Sequence, residues 1–214
     1  MTILIGLLAF VIIVASTWWF GLWSNLITLI NFFIAALVAS SFYENLGSII
    51  DTNAPTYVLF SDFVAIWLLF ALTFLVLRGL TDFLSNTRMK FDFITEMIGR
   101  SLLSVWLAGA FVCFTMFTLH MAPLPPDAFQ STVTERVMGV GPDRQWMAFI
   151  QSRSRGALAE SQDSGLLPAY EYAYEHPDDE GQNLRVFDPG AEFIYQNMQR
   201  RRIISENAQL RANF

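Results

Sequence analysis

The sequence predicts an all-α, polytopic membrane protein. Four transmembrane helices over residues 1–122 precede a largely helical extramembrane tail over residues 123–214. Three observations predict this. Four long apolar runs, Ile3 to Phe20, Leu26 to Phe42, Val58 to Leu77 and Ile98 to Leu119, fill the first half. Each reaches or approaches the roughly 20 helical residues that a hydrocarbon core needs. The composition, 54% hydrophobic and 15% charged with mean hydropathy +0.41, is too apolar for an ordinary soluble domain. Past Pro123 the chain turns polar and acidic, with a net charge of −4 against −2 before it, together the −6 of the whole chain. A weakly acidic tail argues against nucleic acid or anionic lipid as its main partner.

The first run reads as a retained membrane helix. Only Met1 and Thr2 precede it, so there is no basic n-region, and Gly21, Leu22 and Trp23 supply no cleavage site after Phe20. The connection from Ser16 to Asn25 is short enough to demand a tight antiparallel hairpin. Its Trp18, Trp19 and Trp23 suit an aromatic belt at the headgroups, with a ligand-stacking site as the alternative. On the second run Ala35 with Ala39, and Ala36 with Ser40, sit four apart. Ser104 with Ala108, and Gly109 with Cys113, do so on the fourth. Such spacing lets helix backbones approach closely in lipid, for bundling within the chain or for an oligomer interface.

Loop charges set an orientation. The third loop, Asp82 to Asp92, carries Arg88 and Lys90, with Arg78 just before it and Arg100 just after. The second, Tyr43 to Tyr57, carries only Glu44 and Asp51. Lys and Arg stay on the cytoplasmic side, which places the third loop inside and both termini outside, in the periplasm of a Gram-negative cell. Polar groups within the runs are few. Asp62 is expected about a turn and a half into the third helix, near enough to the interface to be hydrated. Glu96 and Arg100 have the spacing and order of a helical ion pair, and Arg100 also has the reach to snorkel. Asn31 is the deep one, suited to an interhelical hydrogen bond. A proton or ion pathway needs several facing carboxylates or a broken helix, and the runs show neither.

Two stretches carry a resemblance. WWFGLWSNLITLINFFIAALVAS places Gly21 between the first two helices, and FDFITEMIGRSLLSVWLAGAF opens the last with Glu96, Gly99 and Arg100. Over residues 1–122 this layout resembles the bacterial colicin V production (CvpA) family of four-helix membrane proteins. The departures are Ser24 and Asn25 where basic residues are expected, and Thr95 and Glu96 in place of an Asp-Arg pair. The resemblance implies an inner-membrane protein connected with toxin export or envelope maintenance.

Three helices are expected in the tail. The first runs from Ala128 to Met138 and stops at the Gly139–Gly141 turn. The second starts at Pro142, a residue favoured at the first helical position, carries Trp146, Phe149 and Ile150 on one face and ends near Leu158. The third starts at Asp188 and Pro189 and carries Phe193, Ile194 and Met198, with Arg200, Arg201 and Arg202 following. Between the last two, Pro, Gly and acidic residues predict an irregular segment, although Tyr170, Tyr172 and Tyr174 alternate as in a strand. The tail lacks apolar content for an independent core, so it packs on its own bundle or on a neighbour. Trp146, Phe149, Phe193, Arg200 and Arg201 are the residues expected to meet a partner.

The residues announce no reaction. The lone Cys113 excludes an intrachain disulfide. His120 and His176 lack ligand-spaced neighbours, Asp178, Asp179 and Glu180 lack the calcium-loop alternation, and no cofactor is expected. The leading expectation is therefore a non-enzymatic scaffold or accessory subunit of an envelope or export assembly, in contact with lipid and with protein partners or copies of itself. A transporter or channel component using Asn31 and Asp62 is the rival, and an intramembrane enzyme the third option.

Overall fold

The computed structural model describes residues 2–53, 60–84, 91–122, 141–154, 160–161, 174–175, 183–185, 193–194 and 197. Helices dominate these: α1 Thr2–Thr17, α2 Leu22–Asn53, α3 Ser61–Leu84, α4 Phe93–Leu119 and α5 Pro142–Ser154. Three short strands, β1 Glu160–Ser161, β2 Tyr174–Glu175 and β3 Asn183–Arg185, pair antiparallel in the order β1-β3-β2. The segment between the tail helices, expected to be irregular, thus holds strand pairing, with Tyr174 in β2. The expected helix at Ala128 to Met138 lies outside the described residues, as do Gly139, Val140, His176, Asp178, Asp179, Glu180, Arg200, Arg201 and Arg202. Of the expected third tail helix only residues 193–194 and 197 are described, and they are helical.

Three helices, α2, α3 and α4, are long and apolar enough to cross a membrane. The 16 residues of α1 rise about 24 Å, short of the roughly 30 Å hydrocarbon core. Large apolar side chains face outward along the bundle: Leu75 is 68% and Leu102 66% exposed, and Val11, Leu72 and Val105 are exposed with them. An apolar exterior of this extent marks a membrane-facing surface.

The helices overrun the apolar runs. The segment from Tyr43, expected to be the second loop, continues α2 as far as Asn53. Its positions 43, 46, 47 and 50 recur at helical spacing, and all four lie on the packed side, with Tyr43 and Gly47 buried and Leu46 and Ile50 against the core. Likewise α3 extends to Leu84 through the first residues of the expected third loop. Asp62, expected about a turn and a half into α3, is its second residue. Carboxylates favour that position because the first helical turn presents unpaired N–H groups.

Pairing is unequal. α2 packs extensively on α3 and also on α4, α4 packs on α1 and α5, and α3 meets α4 chiefly through Trp67 and Phe70, whose rings pack on Phe111 and Phe114. Small residues permit the tight approaches. Ala35, Ala36 and Ala39 of α2 are fully buried, as is Ala65 of α3. A Cβ on Gly6 would stand 2.6 Å from Met116 Cε, so α1 and α4 are in close contact there.

Helix α5 doubles back along α4. Asp143 at its start meets His120 at the end of α4, and Gln145 meets Cys113 two turns deeper. Trp146 (3% exposed), Ile150 and Phe193 belong to the same core as Phe32, Phe114 and Phe117. Of the residues expected to contact a partner, Trp146 and Phe193 are buried against the chain's own bundle and Phe149 is partly buried against it. The reason is aromatic packing: Phe32, Phe33 and Phe114 surround the Trp146 indole, and Phe117 stacks on Phe193 at 5.1 Å.

Candidate functional site

The turn between α1 and α2 and the first turns of α4 form one polar cluster. The Glu96 carboxylate accepts a hydrogen bond from the Leu22 N–H at 2.7 Å. It thereby places an anion on the N-terminus of α2, where the helix dipole and an unpaired donor favour it. Gly21 allows this approach, because a Cβ there would lie 3.0 Å from Glu96 Oε1. Gly99 seats Leu22, whose Cδ1 a Cβ would overlap. The Arg100 guanidinium lies over the Trp18 ring, 5.4 Å from its centroid. Gly21, Glu96, Gly99 and Arg100, singled out in the sequence, thus meet around one turn. The expected Glu96–Arg100 ion pair does not form, because the start of α2 takes the carboxylate and Trp18 takes the guanidinium. One turn further along, the buried Asn25 donates to Ser104 Oγ at 3.0 Å and to the Thr17 carbonyl at 3.2 Å.

A second polar seam joins α2 to α3 at the same end. Arg78 donates to Thr28 Oγ1 at 2.8 Å, to Ser24 Oγ at 3.2 Å and to Asp82 Oδ2 at 3.0 Å. Asn31 is 2% exposed and donates to Thr81 Oγ1 at 2.9 Å, the interhelical use its depth suggested. The sequence reading did not single out Ser24, Asn25, Thr28 or Thr81 for these contacts. Their signal was spacing, since Ser24, Thr28 and Asn31 line one face of α2.

Asn31 and Asp62 do not meet. Thr81, the partner of Asn31, lies 19 residues beyond Asp62 on α3, about 28 Å along the axis. Asp62 stands against α2 instead, where its Oδ1 would be 2.6 Å from a Cβ on Gly47.

At the opposite end the buried His120 and Asp143 side chains meet at 2.8 Å between Nε2 and Oδ2. Burial pushes the Asp143 carboxyl up. The hydrogen bond and charge of His120, with the backbone and charge of Arg144, outweigh that and hold it below the ordinary value of 3.8. Nearby, Trp146 Nε1 reaches Ser40 Oγ at 3.4 Å.

The small residues divide in use. Ala36, Ser40, Ser104 and Ala108 are buried at helix contacts. Gly109 is not, because a Cβ there would meet nothing within 4 Å. It lines a groove of about 630 Å³ among α1, α2, α4 and α5. Among the described residues no three His, Cys, Asp or Glu side chains gather as metal ligands would.

No family model matches this chain, and neither does any curated protein or solved structure with which it was compared.

Proposed function

We propose that this protein is a non-enzymatic, multi-pass subunit or scaffold of an envelope or export assembly in the bacterial inner membrane. In this reading α1 crosses with α2, α3 and α4, both termini are periplasmic, and the protein acts as members of the colicin V production family do. The orientation rests on Arg78, Arg88, Lys90 and Arg100, which cluster at the third loop while the second loop has no basic residue. One observation carries the functional reading. The deepest polar side chains of α2 and α3 join one apolar helix to another: Asn25 to Ser104, Asn31 to Thr81, and Arg78 to Ser24 and Thr28. Groups engaged in holding helices together are not arranged as a relay, whereas the broad apolar exterior remains for lipid and neighbours.

Affinity purification of the tagged chain in mild detergent, followed by sizing and mass spectrometry, tests this. The expected result is a stoichiometric set of other membrane proteins. A lone monomer or small homo-oligomer overturns the subunit reading and shifts the weight to a self-sufficient transporter.

A further inference from the structure

We infer that this protein holds one ordered water molecule where α1, α2 and α4 meet, bound by Asn25 and Arg100. Two buried polar atoms point to it. Asn25 is fully buried, and its Oδ1 meets no donor among the described residues. The Arg100 Nε–H is buried as well and meets no acceptor among them. Buried polar atoms in folded proteins are almost all hydrogen-bonded, to protein or to ordered water.

The surrounding contacts bring both side chains to one place. Thr17 and Trp18 are consecutive where α1 ends. The Thr17 carbonyl accepts from Asn25 Nδ2 at 3.2 Å, and the Trp18 ring lies under the Arg100 guanidinium. On α4, Ser104 Oγ accepts from the same Asn25 amide at 3.0 Å. Ser104 stands four residues after Arg100, one turn along the same face. Asn25 and Arg100 are thus tied to the same end of α1 and to neighbouring turns of one face of α4. The Thr17 carbonyl only accepts, so it fixes Nδ2 on its side and leaves Oδ1 as the atom that needs a donor.

Charge selects the occupant. A cation would serve the Asn25 oxygen and be repelled by the guanidinium. An anion would serve the guanidinium and be repelled by the Asn25 oxygen, with the Glu96 carboxylate one turn away on α4. Water carries no charge, donates to Oδ1, accepts from Nε–H and is small enough to sit between packed helices. Two such partners meet the minimum that a buried water requires, and a bridging water joins them nearly as well as a direct hydrogen bond. The α1–α2 turn and α4 are then coupled through a contact that neither side chain makes alone.

Nuclear magnetic resonance of the full chain, isotope-labelled and in detergent micelles, tests this. The Arg100 Nε–H signal is identified by its loss in Arg100→Lys. The expected result is a cross peak between that proton and water, opposite in sign in NOE and ROE spectra, as a long-held water gives. Asn25→Ala is expected to abolish the peak. Ser101→Ala, which loses only the hydroxyl bond to the Met97 carbonyl, is expected to leave it unchanged. A missing peak, or one of equal sign in both spectra, which marks proton exchange with bulk water, overturns the proposal. So does a peak that keeps its full strength in Asn25→Ala. Should Asn25→Ala not fold, the unfolding constants of Asn25→Ser, Arg100→Lys and the double variant provide a second reading. With a shared water the double variant stays within about twofold of the larger single effect, because the first substitution already releases the water. Single effects that multiply overturn the proposal.

Discussion

At the end of the bundle that carries the α1–α2 turn, helices are joined through polar side chains. Glu96 holds the start of α2, Asn25 links α2 to α4, and Arg78 and Asn31 link α2 to α3. From Phe32 onward, through the middle of the bundle, the helices are joined through rings. Phe32, Phe33, Phe70, Phe114 and Trp146 pack at centroid distances between 5.0 and 6.2 Å, with the His120–Asp143 pair beside them. The contrast separates two tasks. Hydrogen bonds fix the register of helices that lipid would let slide, because packing alone discriminates weakly between apolar surfaces in a bilayer. Rings supply contact area, and they fasten a tail helix that is too polar to remain there by hydropathy.

The largest test attacks the aromatic end. Trp146→Ala removes a buried indole from between Phe33 and Phe114, and truncating such a ring costs about 3–5 kcal/mol. The expected outcome is a lower Tm in mild detergent and release of α5 to proteolysis. Trp19→Ala is the control, because that ring is 85% exposed and its loss leaves the core intact. An unchanged Tm for Trp146→Ala would break the claim that rings hold this end.

The next effect depends on pH. The Asp143 carboxyl lies below its ordinary value, so ionised Asp143 stabilises the docked tail above about pH 4 and that contribution is lost as pH falls through the depressed value. Asp143→Ala is expected to cost about 1.5–3 kcal/mol at neutral pH. The gap from wild type should close under acid, as measured by melting curves across pH. A gap that stays constant down to low pH would remove the Asp143 charge from the account.

At the polar end, Gly99→Leu forces a side chain onto Leu22, which the Glu96 bond restrains. Overpacking of this kind costs about 1–3 kcal/mol, read as a lower Tm with α5 still protected from protease. Asn25→Ala deletes the links to Ser104 and Thr17. Interhelical hydrogen bonds in membranes contribute about 0.6–2 kcal/mol, so the loss is smaller, and Ser104→Ala in the same chain should add little to it. Full additivity of the two would show that Asn25 and Ser104 act separately.

Parts of both regions were legible in sequence, and the misses have identifiable causes. Gly21, Glu96, Gly99 and Arg100 were singled out and do converge, because a tight hairpin leaves its turn beside the next helix to start at that end. The Glu96–Arg100 ion pair was misread, since local spacing does not reveal that a helix N-terminus 74 residues away competes for the carboxylate. Loop two was misread because hydropathy ends at Phe42, whereas the helix persists on the stripe of Tyr43, Leu46, Gly47 and Ile50. The apolar face of α5 was legible from Trp146, Phe149 and Ile150. Its seat was not, because an amphipathic stripe states that something covers it and leaves open what does. Gly109 is the reverse case: its spacing to Cys113 indicated a helix contact, and only three-dimensional placement reveals an open groove.

Glu96→Gln is the smallest change and the most discriminating for the polar end. The amide oxygen still accepts from Leu22 N–H, so the hydrogen bond survives while the negative charge at the α2 N-terminus is lost. That charge contributes about 0.3–1 kcal/mol near an exposed helix end, and the expected drop in Tm is correspondingly slight. Glu96→Ala, which removes both, should fall further, toward the cost of Asn25→Ala. If Gln and Ala were equally harmful, the charge would be the whole of the interaction and geometry would be incidental. If Gln were silent and Ala costly, the carboxylate would act purely as an acceptor, which the 2.7 Å contact to a backbone N–H also permits. A graded series, wild type above Gln above Ala, is what joint action of dipole and hydrogen bond requires.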